Sequence, residues 1–330
     1  MSVTQSCKAL VTGAGGFIGS HLVERLVREG VSVRALAHYN ARNDWGLLEV
    51  LPSEVLDSVE ILTGDIQDPF AVDKAVSGCD IVFHLASLIA IPYSYVAPQS
   101  YVATNVGGAV NVMQAARRHD VERVVHTSTS ECYGTAQYAP IDERHPLQGQ
   151  SPYSASKIGA DMIAESYWRS FELPVAIVRP FNTYGPRQSA RAVIPTIISQ
   201  AQAGTALRLG SLTPTRDLNF VSDTVEGFVR ASRAEQAVGQ VINLGSGHEI
   251  SIGDLARTIL DLMGSDAVVE SESRRVRPDK SEVERLLCDN RKARDLLGWT
   301  SRISLEEGLR RTIDWIGANP RRYKPNIYNL

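Results

Sequence analysis

A glycine-rich turn between an apolar strand and an amphipathic helix, near the start of the chain, most constrains the fold. Residues 8–12 are an apolar run that enters Gly13-Ala14-Gly15-Gly16-Phe17-Ile18-Gly19, and a helix is predicted from there to about residue 29. Gly13 allows a tight turn, and Gly19 lets the helix pack closely on the strand. Gly16 lets the backbone approach a pyrophosphate at the helix N-terminus, beside Phe17 and Ile18. The spacing is G-x-x-G-x-x-G rather than G-x-G-x-x-G, but the order of strand, loop and helix predicts a dinucleotide site.

A second constraint is the stretch Ser151-Pro152-Tyr153-Ser154-Ala155-Ser156-Lys157. Ser151 is a good N-cap and Pro152 a good first helical residue, so a helix is predicted to begin here. Tyr153 then lies in the first turn, with Lys157 one turn later on the same face. The ammonium and the positive helix end both favour phenolate, which predicts a lowered pKa for Tyr153 and a base for alcohol oxidation. Because this pattern also arises by chance, the interpretation requires a nicotinamide nearby.

Composition restricts the class of protein. The 330 residues suit one large α/β domain and a smaller one. A net charge of -3 gives no reason to expect nucleic acid or a charged membrane surface as a partner. The four cysteines are scattered without C-x-x-C spacing, so neither a metal site nor a disulfide framework is expected. With no leader-like or transmembrane-length apolar run, the chain is predicted to be cytoplasmic.

The ends of the predicted strands supply further candidate cofactor contacts. An Asp or Glu for the ribose is expected after the strand at 31–37, but His38 stands there with Arg42 close by, a mild indication of a 2′-phosphate that leaves NAD possible. After the strand at 59–62, Asp65, followed by Ile66, is either an adenine ligand or an ordinary turn residue. The remaining candidates are the small residues after the strand at 80–85 and a polar residue early in a helix predicted over 99–119, namely Leu85, Ala86, Ser87 and Asn105.

The strand predicted over 121–126 connects the two constraints. Ligands of open parallel sheets lie beyond the carboxyl ends of the strands, so Thr127 to Glu131 is expected in the same crevice as the glycine loop. Strands and helices alternate as far as residues 175–178, which predicts a Rossmann-type doubly wound parallel sheet in a dinucleotide-binding domain, 1–179. Prolines and glycines become frequent after Arg179, which favours a smaller α/β substrate domain, 180–330, with some segments returning to the first domain.

The basic residues of the predicted substrate domain, 180–330, have two interpretations. The cluster around Arg277 has acidic neighbours, as solvated faces usually do. Alternatively, Arg216 and Arg277 clamp a diphosphate, because guanidinium makes forked contacts with phosphate oxygens.

Taken together, the glycine loop, the Ser/Thr-rich strand end and Tyr-x-x-x-Lys resemble the extended short-chain dehydrogenase/reductase superfamily over nearly the whole chain. The resemblance implies that Thr127 and Ser128 approach the cofactor and that Thr129 binds the sugar 4-hydroxyl. It implies equally that Tyr153 and Lys157 are the catalytic pair. It also implies that Asn182, in Arg179-Pro180-Phe181-Asn182, contacts a nucleotide sugar.

The triplet Thr129-Ser130-Glu131 is similar to the active-site triplet of nucleotide-sugar 4,6-dehydratases. Epimerases of the UDP-galactose type usually lack the glutamate. The triplet is closer to GDP-mannose dehydratases, which also have Thr-Ser-Glu, than to dTDP-glucose dehydratases, which have Asp where this chain has Ser130. With no second carboxylic acid, Glu131 is expected to act as both base and acid.

Three longer stretches resemble the NAD-dependent N-acetylglucosamine-nucleotide 4,6-dehydratases of bacterial legionaminic-type sugar pathways. They are Tyr39-Asn40-Ala41-Arg42-Asn43-Asp44-Trp45-Gly46, Pro146-Leu147-Gln148-Gly149-Gln150-Ser151-Pro152 and Gly210-Ser211-Leu212-Thr213-Pro214-Thr215-Arg216-Asp217. This resemblance implies UDP-GlcNAc, or else GDP-GlcNAc, as substrate, and NAD rather than NADP. A 4-epimerase or decarboxylase on the same fold, and a catalytically silent dinucleotide-binding protein, are the alternatives. The helices near 99–119 and 153–171 are expected to form a homodimer seam, although burial within one chain would explain the same apolar residues.

Overall fold

The computed structural model describes residues 7–204, 206–325 and 327–328. Its strands, in chain order, are β1 Lys8–Thr12, β2 Ser32–His38, β3 Val59–Gly64, β4 Ile81–His84, β5 Arg123–Thr127, β6 Val175–Pro180, β7 Asn182–Tyr184, β8 Leu207–Leu209, β9 Thr215–Phe220, β10 Val241–Leu244, β11 Glu249–Ser251, β12 Val269–Ser271 and β13 Arg285–Leu286. The α-helices are α1 Phe17–Arg28, α2 Ser53–Leu56, α3 Pro69–Val76, α4 Ile91–Val96, α5 Pro98–Tyr101, α6 Gly108–Arg118, α7 Pro152–Phe171, α8 Val193–Gln202, α9 Val221–Arg233, α10 Ile252–Met263, α11 Arg291–Leu297 and α12 Leu305–Ala318.

Seven parallel strands form the main sheet, in the order β10-β6-β5-β4-β1-β2-β3. The order reverses between β1 and β4, so a crevice opens there beyond the strand carboxyl ends. The predicted Rossmann-type parallel sheet is therefore confirmed. The strand β10 joins this sheet beside β6 although it comes from beyond residue 180, and the division at 179/180 stays a prediction.

Helices cover both faces of the main sheet, because alternate residues of its strands point to opposite sides. Ala9 and Val11 share one buried cluster with Leu22 of α1. Leu10, between them in β1, belongs to a second cluster with Val112 of α6. Sheets buried on both faces require the near-continuous apolar strands that the sequence contains.

The later part of the chain builds a smaller layer beside the crevice. Strands β7, β9, β11 and β13 form a four-stranded sheet, and β8 pairs in parallel with β12. Helices α8, α10 and α12 pack against one another beside these strands.

The predicted helix over 99–119 is interrupted. After α5 the backbone adopts π geometry over Val102–Gly107 before α6 begins. The predicted helix is therefore present over nearly its whole span, but its middle is not α-helical. A π-helical turn contains more residues than an α-helical turn, so side chains within it point in different directions from those of a regular helix. Asn105 lies buried in this segment.

Among the described residues, no helix has both the length and the apolar content needed to cross a membrane. The first six residues, which entered the expectation about a leader, lie outside the described part of the chain.

Candidate active site

The glycine loop forms an open cradle at the end of β1. Gly13 has a φ of +67°, and a Cβ there would lie 2.8 Å from the backbone nitrogen of Ala86. A Cβ on Gly19 would collide with the carbonyl oxygen of Gly13, so the close approach of helix and loop requires glycine. A Cβ at Gly16 would meet only the carbonyl oxygen of Gly13, at 3.1 Å.

The N-terminus of α1 has no protein cap. Gly16 is its N-cap, no side chain accepts a hydrogen bond there, and the first turn, which begins with Phe17 and Ile18, has no acidic residue. Free N–H groups and the positive helix end favour an anion at this position. The uncapped start of α1 therefore suits the pyrophosphate of a dinucleotide bound against the glycine loop.

The loop after β2 packs on the glycine loop. The Leu47 N–H donates to the carbonyl oxygen of Gly15 over 2.9 Å, and a Cβ on Gly15 would lie 2.6 Å from the carbonyl oxygen of Trp45. His38, which ends β2, is exposed. Arg42 is 82% exposed, and its guanidinium lies 3.6 Å from Asp44. No buried contact in the structure commits Arg42 to a phosphate.

The segments after β3 and β4 form another wall of the crevice. The Asp65 carboxylate accepts a hydrogen bond from the Gln67 N–H at 2.9 Å, as in an ordinary turn, while Ile66 is buried against Gly108. The N–H groups of Leu85 and Ala86 both donate to Thr12 Oγ1 at 3.1 Å. Leu85, Ala86 and Ser87, which follow β4, are all partly exposed.

The side chain of Asn105 is used inside the protein, which corrects its expected cofactor contact. Its Oδ1 accepts from the Leu88 N–H at 2.8 Å, and its Nδ2 donates to the Leu88 carbonyl at 3.0 Å and to Ser156 Oγ at 2.9 Å. Both amide hydrogens are thereby occupied. Asn105 holds the segment after β4 against α7 rather than reaching into the crevice.

Helix α7 carries the predicted Tyr153 and Lys157 pair, and its start is confirmed. Ser151 is the N-cap, and the capping box with Ser154 has both of its hydrogen bonds. The two functional side chains are buried, at 7% and 4% exposure. The Lys157 ammonium donates to the carbonyl oxygen of Thr127 at 2.6 Å, so the helix is attached to the end of β5.

The pKa expected for Tyr153 requires a correction. Burial raises its pKa well above the ordinary value; hydrogen bonding with Thr129 opposes this, and the negative charge of Glu131 reinforces it. The phenol is therefore protonated at neutral pH in this structure. The sequence argument considered the helix end and Lys157 but not the desolvation of a buried phenol, which favours the neutral form.

The Thr129-Ser130-Glu131 triplet begins a short 3₁₀ helix, Ser130–Tyr133, after β5. Thr129 Oγ1 accepts a hydrogen bond from the Glu131 N–H at 3.3 Å, and Ser130 and Glu131 are both buried. Just before the triplet, Thr127 Oγ1 is buried and has no hydrogen-bond partner within the described part of the chain. An unpaired buried hydroxyl beside the cradle is what a bound cofactor would satisfy.

Both candidate arginines lie in one place, as the diphosphate interpretation requires. The guanidinium groups of Arg216 and Arg277 lie 3.1 and 3.3 Å from the same Glu282 oxygen. Burial lowers the pKa of Arg216, and the negative charge of Glu131 is the largest effect opposing that shift. Arg216 thus lies between the triplet and the loop that carries Arg277. Asn182 of β7 is paired in register with Leu218 of β9, two residues after Arg216, and its buried Oδ1 has no partner among the described residues.

Sequence reasoning missed two residues at this end of the crevice. One is Glu282, and the other is Gln150, whose Nε2 donates to the carbonyl oxygens of Lys280 and Glu282 at 3.2 and 3.3 Å. Gln150 immediately precedes the α7 cap, and Glu282 lies five residues after Arg277. Their closeness to the α7 cap and to Arg277 is the only indication of a role that the sequence offers, because the contacts of Gln150 with this loop and of Glu282 with Arg216 join residues far apart in the chain.

Comparison with known proteins assigns the family. The model of the GDP-mannose 4,6 dehydratase family matches residues 10–312. A UDP-glucose 4-epimerase of Mycolicibacterium smegmatis is 35% identical over 93% of this chain and 98% of its own length. A dTDP-glucose 4,6-dehydratase of Streptomyces antibioticus is 34% identical over 96% and 94%.

A solved structure of a similar protein extends the comparison to the whole fold. The dTDP-glucose 4,6-dehydratase DesIV of Streptomyces venezuelae, as a double mutant crystallised with NAD, superimposes with a TM-score of 0.86 at 30% identity, over 96% of this chain and 99% of that one. With the strand order, the glycine cradle and the Tyr153/Lys157 helix, these matches lead to one conclusion. The chain belongs to the GDP-mannose 4,6-dehydratase family of extended short-chain dehydrogenases/reductases.

Proposed function

We propose that this protein is a nucleotide-sugar 4,6-dehydratase that acts on UDP-GlcNAc. The observation that carries the proposal is the position of Glu131, a buried carboxylate close enough to Tyr153 and to Arg216 for its charge to shift the pKa of each. A carboxylate beside the candidate oxidation base can remove a second proton from the same sugar. Elimination of water needs both groups.

The cofactor in this proposal is NAD, held by Gly13, Gly16 and the uncapped start of α1, with Thr127 beside it. When bound, NAD would accept the C4 hydride, return it later to C6, and add a positive charge that favours the Tyr153 phenolate. NAD rather than NADP is supported by similar proteins whose crystal structures contain NAD.

In its phenolate form, which the positive charge of bound NAD would favour, Tyr153 takes the proton of the sugar 4-hydroxyl in the first step, and Thr129 holds that hydroxyl. The buried Lys157 ammonium keeps the phenolate form accessible and anchors α7 to β5 through Thr127. Oxidation at C4 acidifies the neighbouring C5 proton, so the first step enables the second.

Glu131 removes the C5 proton and then donates a proton to the hydroxyl that leaves C6 as water. Ser130 has no acidic proton to offer, so Glu131 performs both transfers. With the hydride back on C6 and a solvent proton delivered to C5 through Glu131, while Tyr153 passes the 4-hydroxyl proton to solvent, the result is a 4-keto-6-deoxy sugar. Because the same carboxylate serves one face of the sugar, we expect the C5 configuration to be retained.

The choice of UDP-GlcNAc rests on the three family-like stretches, which lie around the crevice. Trp45 and Gly46 of the first stretch pack on Gly15 of the glycine loop, and Gln150 of the second stretch contacts the loop after Arg277. In the third, Gly210 approaches the carbonyl oxygen of Arg275 so closely that a Cβ would lie 2.5 Å away. Arg216 and Arg277 would hold the diphosphate and Asn182 would contact the nucleotide sugar.

A nucleotide-sugar 4-epimerase is the second candidate, because the relative from Mycolicibacterium smegmatis is named UDP-glucose 4-epimerase. That reaction needs Tyr153 and Lys157 but removes no water. It leaves Glu131 without a proton to transfer.

Product mass separates the two candidates. The purified protein is incubated separately with UDP-GlcNAc and GDP-GlcNAc, and the products are examined by mass spectrometry and proton NMR. We expect UDP-GlcNAc to lose one water. An unchanged mass with inversion at C4 would instead establish the epimerase, and turnover of GDP-GlcNAc alone would change the assigned nucleotide.

A homodimer and a cytoplasmic location stay predictions. The helices expected at the seam expose apolar side chains, including Val102, Met162 and Phe171 at 56, 45 and 46%. Sedimentation velocity at micromolar concentration tests the dimer, and a single species with the mass of one chain would contradict it.

A further inference from the structure

Asp161 is a buried carboxylate that no step of the proposed reaction uses. It lies on α7 one turn after Lys157 and two turns after Tyr153, on the same face of the helix. Its side chain is 1% exposed. A charge this deep in a protein needs partners, and those partners belong to other elements.

The carboxylate joins the ends of two adjacent strands to α7. Asp161 Oδ2 accepts hydrogen bonds from Ser128 Oγ at 2.5 Å, just beyond β5, and from an Arg179 amino group at 2.7 Å, in β6. Arg179 Nε also donates to Ser128 Oγ at 3.2 Å, which closes a three-membered network. On its other side, the Arg179 guanidinium lies 4.7 Å from the ring centroid of Tyr133.

This network surrounds the start of the catalytic segment. Ser128 immediately precedes Thr129, and its N–H donates to the carbonyl oxygen of Val178 at 2.7 Å. The residue before it, Thr127, accepts the hydrogen bond of Lys157. One strand end is thus attached to α7 at two consecutive residues, once by the candidate catalytic lysine and once by Asp161.

The charges near Asp161 are few. His126 of β5 lies 3.3 Å from Asp161 Oδ1, and burial lowers its pKa and that of His84, so both rings are neutral at pH 7. The Cys132 thiol is also neutral, since burial raises its pKa to about 12. Asp161 therefore faces two cations, Arg179 and Lys157.

The negative charge of Asp161 affects the pKa of Lys157. Burial lowers the pKa of Lys157, and the negative charge of Asp161 is the largest opposing effect. Burial would raise the pKa of Asp161 itself, but the charge of Arg179, the His126 ring 3.3 Å away and the hydrogen bond from Ser128 hold it well below its usual range. Asp161 is thus ionised at neutral pH, and its negative charge helps to keep Lys157 protonated.

Stability alone does not explain this arrangement. Replacing a buried ion pair by apolar side chains is often neutral or stabilising. The ion pair between Asp161 and Arg179 lies where α7 meets the ends of β5 and β6, so it can hold these three elements in one relative orientation.

We propose that Asp161 is a positioning residue of the active site: through Ser128 and Arg179 it holds the Thr129–Glu131 segment at a fixed position relative to Tyr153 and Lys157 on α7. The dehydratase and the epimerase both need this alignment, so the inference stands apart from the choice between them. It also assigns Arg179 and Ser128 to the support of the site rather than to contact with substrate.

Hydrogen–deuterium exchange of the intact protein, without substrate, is the primary test. In Asp161→Asn, we expect faster exchange of the amides over 127–131 than in the wild type. With UDP-GlcNAc as the probe, kcat should fall about 10²-fold, as expected for a small misplacement of reacting groups. The alkaline limb of the pH profile should move to lower pH, because Lys157 loses a nearby opposite charge that raises its pKa.

Asp161→Asn leaves Arg179 buried without a counter-ion, so the double variant Asp161→Asn/Arg179→Met separates positioning from neutralisation. We expect the double variant to regain thermal stability while its exchange stays fast and its kcat stays low. Ser128→Ala, which unpairs no charge, should lower kcat by about 10-fold, the effect of one hydrogen bond to a charged group.

Asp223→Asn is the matched control. Asp223 is a buried carboxylate that accepts hydrogen bonds from Ser301 and from the N–H groups of Arg302 and Ile303, away from α7. We expect the Asp223→Asn variant to lose thermal stability without any change in its pH profile or in the hydrogen–deuterium exchange of the amides over 127–131. The proposal is overturned if the double variant recovers wild-type kcat and exchange, or if exchange over 127–131 is unchanged in Asp161→Asn. If UDP-GlcNAc is not a substrate of the wild type, the exchange result still decides this inference while the proposed function fails.

Discussion

Tyr153 and Glu131 belong to different elements, yet each is buried and the charge of Glu131 reaches the phenol. In the proposed reaction, Tyr153 handles the proton on oxygen and Glu131 the proton on carbon. Two proton transfers of one reaction are thus assigned to two side chains that can be changed separately.

Glu131→Gln should separate the two halves of the reaction. The amide keeps the size of the carboxylate but cannot accept the C5 proton, whereas oxidation at C4 depends on Tyr153 and Lys157. We expect the absorbance of reduced nicotinamide to accumulate on addition of substrate, while release of the 4-keto-6-deoxy product falls about 10²–10⁴-fold. Single-turnover absorbance and product NMR measure the two steps.

Tyr153→Phe is the matched control for that variant, since it removes only the phenol oxygen. It should block the first step, with no reduced nicotinamide and no product, while nucleotide-sugar binding persists. Dehydration by Glu131→Gln at a rate close to that of the wild type would refute the role given to Glu131.

At the scale of elements, the N-cap of α7 determines where the first helical turn lies, and Tyr153 is in that turn. The Ser154 N–H donates to Ser151 Oγ at 3.1 Å, and the Ser151 N–H donates to Ser154 Oγ at 3.0 Å. A frayed first turn would move the phenol relative to Thr129.

Ser151→Ala should therefore lower both stability and turnover. Loss of an N-cap destabilises a protein by about 1 kcal/mol, and displacement of Tyr153 should reduce kcat as well. Ser251→Ala is the control, because Ser251 caps α10 in the same way, accepting from the Asp254 N–H at 3.0 Å. Chemical denaturation and steady-state kinetics should show similar losses of stability in both variants but a loss of kcat in Ser151→Ala alone; equal kcat values would contradict a link between this cap and the chemistry.

At the scale of the whole molecule, the loop after Arg277 spans the crevice. Ser281 Oγ lies 2.6 Å from the hydroxyl of Tyr95 in α4, and Gln150 donates to Lys280 and Glu282 on the same loop. Glu282 in turn pairs with Arg216 and Arg277. The diphosphate interpretation thus places a substrate group between two parts of the chain that are far apart in sequence.

Arg277→Gln should weaken nucleotide-sugar binding with little change in kcat. A contact with the diphosphate is equally strong before and during the reaction, so its loss raises KM alone. Hydrogen bonds to charged groups contribute roughly 1.5–3 kcal/mol, which corresponds to about a 10- to 100-fold rise in the Kd for UDP. Isothermal titration calorimetry with UDP measures this change in Kd.

Arg274→Gln is the control on the same loop, because Arg274 pairs with Glu272 and lies 5.6 Å from the ring centroid of Tyr328. Its Kd for UDP should match that of the wild type. If the two variants bind UDP equally well, Arg277 is part of a solvated face, the alternative that the charge pattern left open.

The sequence alone determined the features whose causes lie within a few residues. The glycine loop, the alternation of strands and helices, and the capped start of α7 follow from backbone freedom, hydrophobic periodicity and short-range hydrogen bonds. The candidate residues at strand ends were also predictable, because parallel strands bring their carboxyl ends to one edge.

Only the tertiary structure decided features that depend on burial and on residues distant in sequence. Desolvation reversed the expected pKa shift of Tyr153, and the π turn directed Asn105 to Leu88 and Ser156 instead of the crevice. The pairing of Glu282 with both arginines and the return of β10 to the main sheet have no local signal either. Local chemistry selects which elements form, whereas the electrostatic environment of a side chain depends on everything packed around it.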